Sequence, residues 1–403
     1  MSEAESESAA ESAAGRDAAV EVAPVILSNT PGSFPWSVLA ERHPALVRKV
    51  RDAFPYGPEQ HRALDALLKN CTEGVIEPLG AGAVGREQWG VWGREYFGRS
   101  WFDVPFLWSE SYFYRQLLEA VGYFGTETWQ GIDPFRPFKL AELDTPEADE
   151  ELAALDELAH QPVEDQELAL LHGSLWGNRA DLGFRLAAAD GGTAVDSQLV
   201  ADDSGLLRSL FAGGTLCVVA DNAGRELIPD LLLIDHLLLH RRAGRAVLHV
   251  KPSPYYVSDA TTADVVDALR RLTAAKGAAG ESGHRLWSAM ADGRLTVRAH
   301  PFSCAPLPYA DMPDDLREEF AAADVTIMKG DLNYRRLIGD RRWPATTPFA
   351  TPTAYFPGPV AALRTLKSDV TVGLDAHTEA ALDAAEEQRW RTSGTHALIQ
   401  ARG

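Results

Sequence analysis

The spacing of apolar positions changes character once along this chain. From Ser33 to Leu170 it is mainly helical: Val38 and Leu39, then Leu46, Val47 and Val50, then Leu64, Leu67 and Leu68 recur at helical intervals. Trp89, Trp92, Tyr96, Phe97, Trp101, Phe102, Phe106 and Trp108 form an aromatic passage that leads into Glu110-Ser111-Tyr112-Phe113-Tyr114-Arg115. A packed helical core accounts for it; the functional alternative is a wall over a cleft with Glu110 or Arg115 pointing in. Glu147 to Leu175 alternates acids with Leu and Ala at helical spacing, which predicts a solvated helix pair with one apolar stripe.

Beyond this pair the period shortens. Strand-like runs at Thr215 to Ala220, Ala246 to Val250, Leu295 to Ala299 and Val325 to Met328 alternate with helical stretches at Arg225 to Arg242, Thr262 to Ala275, Pro313 to Ala322 and Leu332 to Ile338. This rhythm predicts an α/β fold, a parallel sheet with helices on both faces. Val360 to Leu363 and Val370 to Leu374 form a last apolar pair before an expected helical C-terminus. The expected division is a disordered acidic tail over residues 1–24, a mainly helical N-terminal domain over 25–175 and an α/β/α catalytic domain over 176–403.

Composition narrows the function classes. The net charge of −20 is uneven: residues 1–24 carry six acids against one arginine, and Glu142 to Glu167 holds eleven acids with no Lys or Arg. The rest of the chain is close to balanced, so the acidity reads as solvation of a tail and an exposed helical segment, and nucleic-acid binding is not expected. The three cysteines, Cys71, Cys217 and Cys304, are too scattered for a disulfide framework or a zinc site, which favours a reducing cytoplasmic compartment. No apolar stretch is long enough to span a bilayer, so no membrane partner is expected.

Polar clusters follow four of the apolar runs, where ligands bind in open α/β sheets. They are Asp221-Asn222 with Arg225 and Glu226; Lys251 through Ser258-Asp259; Lys329-Gly330-Asp331-Leu332-Asn333-Tyr334-Arg335-Arg336; and Arg364-Thr365-Leu366-Lys367-Ser368. Asp221, the Asn222 carbonyl and Asp259 offer hard oxygens suited to a divalent cation such as Mg²⁺ or Mn²⁺. Arg364 and Lys367 can hold phosphoryl oxygens, and the helix N-terminus after Asn222 adds N–H donors for the same anion. Asn178, Arg179 and Asp181, after Trp176-Gly177, are either helix-end caps or groups for a polar substrate. Each cluster alone can be capping; caps do not require Arg and Lys at matching strand ends.

In combination, Asp-Asn-Ala-Gly-Arg-Glu from Asp221, Val-Ser-Asp at 257–259, Lys-Gly-Asp-Leu-Asn-Tyr-Arg-Arg-Leu from Lys329 and Arg-Thr-Leu-Lys-Ser-Asp from Arg364 resemble the DUF89 family of metal-dependent damage-control phosphatases, in the acidic-residue methyltransferase 1-like group. The resemblance runs from about residue 30 to 395 and includes Trp108 to Arg115 and Leu175 to Leu182. It implies a Rossmannoid three-layer α/β/α domain with a helical N-terminal part and one divalent cation (Mn, Mg, Co or Ni). Asp221, Asn222 and Asp259 match the metal ligands and Lys367 the phosphate contact, while Glu110, Asn178, Asp331 and Arg335 fall in motifs lining the substrate side. Tyr255-Tyr256 and Gly183-Phe184 depart from the family pattern, and substrate identity is open there.

The expected activity is hydrolysis of a small phosphorylated metabolite, such as a sugar phosphate, by metal-activated water. Asp221, Asn222, Glu226 and Lys367 would be catalytic, with Glu226 orienting the water or serving the first helical turn. The alternatives are carboxyl methyl transfer from S-adenosylmethionine, against which the single glycine of Asp-Asn-Ala-Gly counts, and another biosynthetic reaction on the same metal scaffold.

Overall fold

The computed structural model describes residues 23–177 and 198–403. Among these residues seven strands form one sheet: β1 (Leu199–Asp202), β2 (Thr215–Val219), β3 (Arg245–His249), β4 (Leu295–Arg298), β5 (Val325–Lys329), β6 (Val360–Thr365) and β7 (Ala397–Arg402). Their order is β1-β7-β6-β5-β2-β3-β4, parallel except where β7 runs against β6. The fold class is α/β, as the β-α-β-α rhythm predicts.

Two layers of helix cover the sheet, and the pleat divides the strand residues between them. Leu216, Val218 and Ala220 face one layer, made of α5 (Arg136–Leu143), α6 (Pro146–Leu158), α7 (Val163–Trp176), α8 (Ser204–Leu210), α9 (Leu227–Leu239), α10 (Thr262–Thr273) and α11 (Gly277–Asp292). Cys217 and Val219 face the other, which includes α12 (Asp314–Ala321) and α13 (Gly330–Ile338). The preceding helices, α1 (His43–Ala53), α2 (Pro58–Glu73), α3 (Arg86–Trp92) and α4 (Phe106–Ala120), share an aromatic core containing Trp89, Trp101, Trp108 and Tyr112. Tyr256 and Val257 pack against that core, so the aromatic passage braces the segment that leads to Asp259. Among the described residues no helix is long and apolar enough to cross a membrane.

Two elements differ from the sequence expectation, and one apolar run forms no regular element. The chain does not end in a helix: α14 (Ala376–Glu386) is followed by β7, paired on both sides. Val370 to Leu374 is not a strand. Side chains replace a ladder there: the Val370 carbonyl accepts from Arg364, the Val372 carbonyl accepts from Gln400 Nε2 at 2.6 Å, and the Val372 N–H donates to the Tyr334 hydroxyl at 3.3 Å. The acidic helix pair is more than a solvated surface. Glu167 on α7 is buried and takes Arg208 at 2.8 Å and Arg242 at 2.9 Å, while Glu151 pairs with Arg225 and Asp149 with Arg271.

The chain leaves β2 towards β3 and β4 on one side, then returns to place β5 on the other. The strand order therefore reverses between β2 and β5, and the crevice beyond their carboxyl ends is where such sheets bind ligands.

Candidate active site

A cavity of about 30 Å³ lies at this crevice, lined by Asp221, Asn222 and Glu226 after β2, Lys329 and Gly330 at the end of β5, Leu363, Thr365 and Lys367 along and after β6, Asp230 of α9 and residues 174–177. Four of the residues expected to act together, Asp221, Asn222, Glu226 and Lys367, thus share one cavity. Asp259 is not on the cavity wall, although its charge acts on Asp221. Its loop pairs with the Asp221 loop through Ala223 N to Ser258 O at 2.7 Å and Ala260 N to Asp221 O at 2.9 Å, with a bridge between Asn222 and Asp259.

The carboxylates sit in an electrostatically costly arrangement. Burial, then the negative charges of Glu226 and Asp259, push the Asp221 carboxyl well above the usual carboxylate range, against the pull of Lys367 and Lys251. Asn222 is held at both ends of its amide: Nδ2 donates to Glu226 Oε2 at 2.8 Å, and Oδ1 accepts from Ser258 Oγ at 2.7 Å. One carboxylate oxygen of Glu226 is thus engaged by Asn222. Asp259 Oδ2 accepts from the Tyr256 N–H at 2.9 Å. Gly330, at φ +80°, is the point of closest approach between β5 and Asp221; a Cβ there would overlap the Asp221 carboxylate.

Among the described residues no group of three or more His, Cys, Asp or Glu side chains is arranged as a ready-made metal site. The set Asp221, Asn222 and Asp259 has two carboxylates and one amide oxygen. These are hard oxygens of the kind a divalent cation takes, and the crowding of acids that disfavours ionised Asp221 is a place where added positive charge would favour it.

Several residues expected on the substrate side do not line this cavity and are engaged by other protein groups. Arg364 is fully buried and its guanidinium is taken up by protein groups: Nε donates to Asp331 Oδ1 at 2.8 Å, another N–H meets the Val370 carbonyl, and Nη2 reaches Ser368 O at 3.1 Å and Oγ at 2.9 Å. Asp331 accepts from both Arg364 and Ser368 Oγ, the latter at 3.0 Å, so this pair clips the loop that bears Lys367. Arg335 is likewise committed, to Asp340 at 2.7 Å and Glu110 at 2.9 Å, over the face of Phe106. Glu110 is buried and also takes the Tyr256 hydroxyl at 3.2 Å; burial pushes its carboxyl up, opposed by Arg335. Arg115 bonds Glu119 and the Val84 carbonyl instead of a cleft. Asn178 and Asp181 lie outside the described residues.

The cavity also holds residues to which the sequence reading assigned no role. Lys329 ends β5 with its ammonium 3.0 Å from Asp230 Oδ1 and bonded to the Ser174 carbonyl, and Ser174 Oγ donates to Asp230 at 2.6 Å. An acid at position 230, inside the run Leu-Ile-Pro-Asp-Leu-Leu-Leu-Ile, is the available signal, because a charge in a buried helix requires a partner.

Comparison with known proteins bears on this geometry. The description of the damage-control phosphatase ARMT1-like domain matches residues 38–382. The chain is 29% identical over 429 residues to damage-control phosphatase ARMT1 of Danio rerio, covering 92% of this chain and 94% of that protein. It is 32% identical over 337 residues to the Xenopus laevis protein of the same name, covering 75% of each. Among solved structures, a DUF89 family protein from Pyrococcus horikoshii aligns with a TM-score of 0.46 at 16% identity, over 81% of this chain and 90% of that one.

Proposed function

Because the chain belongs to the ARMT1-like family of damage-control phosphatases, we propose that it hydrolyses the phosphate monoester of a small metabolite such as a sugar phosphate, at the cavity between β2, β5 and β6. The observation that supports this best is the meeting of two mutually repelling acids, Asp221 and Glu226, with two lysines, Lys329 and Lys367, in one small cavity.

In this reading Asp221, the Asn222 amide oxygen and Asp259 hold one divalent cation, which supplies Lewis-acid polarisation of a phosphoryl oxygen and acidifies water. Lys367 is exposed at the end of its clipped loop and offers an ammonium to the phosphoryl oxygens. Lys329 keeps two of its three donors on Asp230 and Ser174, which leaves one for the same anion. Helix α13 begins at Gly330 on the cavity wall, and its N-terminal N–H groups add positive potential there. Glu226 and Ser258 fix the Asn222 amide so that its oxygen is presented in one orientation. Asp331, Arg335, Arg364 and Glu110 act by holding these loops in place, with no direct contact to the phosphate.

The test is phosphate release from a panel of sugar phosphates by chelator-stripped protein, with Mg²⁺, Mn²⁺, Co²⁺ or Ni²⁺ restored. Release that requires a metal and disappears in Asp259→Ala supports the reading. Absence of turnover with every metal, together with micromolar binding of S-adenosylmethionine, would replace it with methyl transfer.

A further inference from the structure

Helix α5 touches both loops of the candidate site through two side chains one turn apart. Lys139 is 3% exposed. Its ammonium donates to Asp133 Oδ2 at 2.9 Å, Asp264 Oδ2 at 3.0 Å and the backbone carbonyl of Asp259 at 2.8 Å. These three bonds use all the donors of an ammonium group. Asp264 in turn accepts from the Thr261 N–H at 2.9 Å and from Thr261 Oγ1 at 2.7 Å, closing the capping box that starts α10 two residues after Asp259. Lys139 therefore joins α5, the Asp259 loop and the α10 cap at one nitrogen.

Three residues along, Glu142 reaches the other loop. Its carboxylate accepts from the Arg225 backbone N–H. It also lies against Gly224, at φ +66°, where a Cβ would overlap it. The two loops that pair through Asn222 and Asp259 are thus gripped from outside by consecutive turns of one helix.

We infer that α5 is a clamp that sets the spacing of these loops, and that Lys139 is a positioning residue holding Asp259 through its carbonyl. This rests on the proposed cation site at Asp221, Asn222 and Asp259. Lys139 contacts neither substrate nor cation. An ordinary core ion pair would be satisfied by Asp133 and Asp264 alone; the bond to the Asp259 carbonyl is what makes Lys139 matter to a bound ion, as outer supports of metal ligands do.

The experiment is calorimetric titration of Mn²⁺ into chelator-stripped full-length protein, with unfolding temperatures measured alongside. Lys139→Met should weaken Mn²⁺ binding by about tenfold or more. Lys139→Gln, which keeps a donor and loses the charge, should fall between Met and the unsubstituted protein. Arg285→Met removes the Arg285–Asp235 ion pair on the same helical layer and should bind Mn²⁺ within about twofold of the unsubstituted protein. Folded Lys139→Met and Lys139→Gln proteins that bind Mn²⁺ as well as the parent would refute the clamp. Should Lys139→Met not fold, Lys139→Gln decides. Failure of the parent itself to bind Mn²⁺ overturns the cation reading and the clamp with it, and is visible before any substitution.

Discussion

Asp221, proposed as a cation ligand, also bears on stability. Its folded carboxyl titrates above its unfolded value, so the native state binds more protons and stability falls as pH rises from the ordinary aspartate value of about 3.9 through the raised folded value. In chelator, the unfolding temperature should therefore decline towards alkaline pH. Asp221→Asn should flatten that decline and raise the unfolding temperature near pH 8 by about 2–4 °C, while phosphate release is lost. A lower unfolding temperature for Asp221→Asn in chelator would show that the carboxylate is already compensated by its lysines. Gly330→Ala tests the same spot sterically: its Cβ would displace the Asp221 carboxylate, so turnover should collapse even where circular dichroism reports an intact fold. The Asp-Asn pair was legible in the sequence because polar residues follow a run of buried ones. The raised carboxyl was not, since it depends on Glu226 and on Asp259, which is 38 positions away.

At the scale of an element, β6 and its exit loop separate two cations that look alike in the chain. Arg364 and Lys367 read together as a phosphate fork, yet Arg364 sits inside the strand and its donors satisfy Asp331, Val370 and Ser368. Three residues later Lys367 is exposed. Removing a buried, paired cation leaves its partners uncompensated, so Arg364→Met should lose about 3–5 kcal/mol in urea unfolding. Lys367→Met should stay within about 0.5 kcal/mol and lower kcat/KM by roughly 10²-fold or more. Equal stability losses in both variants would contradict this division of labour. The same limit hid α11, whose Gly-rich sequence has poor helix propensity but whose Leu286 and Ala289 pack in the sheet's core. β1 was missed because three half-buried residues and one exposed one at a sheet edge give no clear alternation.

At the scale of the molecule, ligand binding and folding are linked. The proposed ligands come from separate crossovers of the sheet, so a cation bound to them stabilises only the assembled fold. Mn²⁺ at about one hundred times its dissociation constant should raise stability by roughly 2.7 kcal/mol, and Asp259→Ala should abolish that gain in thermal unfolding. The aromatic core of α1–α4 belongs to the same assembly, because Tyr256 stacks on Tyr114 at 4.6 Å while its N–H holds Asp259.

The sequence by itself determined the layers of this protein and the ends of the strands at which chemistry is placed. Apolar period is a local property, and a polar residue at the end of a buried run has few places to go. It also carried the family, through four motifs read in order. Only the tertiary structure decided which of the polar groups meet. The placing of β5 beside β2 brings Asp221 against Gly330, the pairing of β2 with β3 joins the Asp221 loop to the Asp259 loop, and Lys367 is left exposed after β6. It buries Arg364, Arg335 and Glu110 among partners of their own. The physical reason is that a buried charge is assigned by its nearest compensating groups, and those arrive from far along the chain, as Arg335 and Glu110, 225 positions apart, do at 2.9 Å.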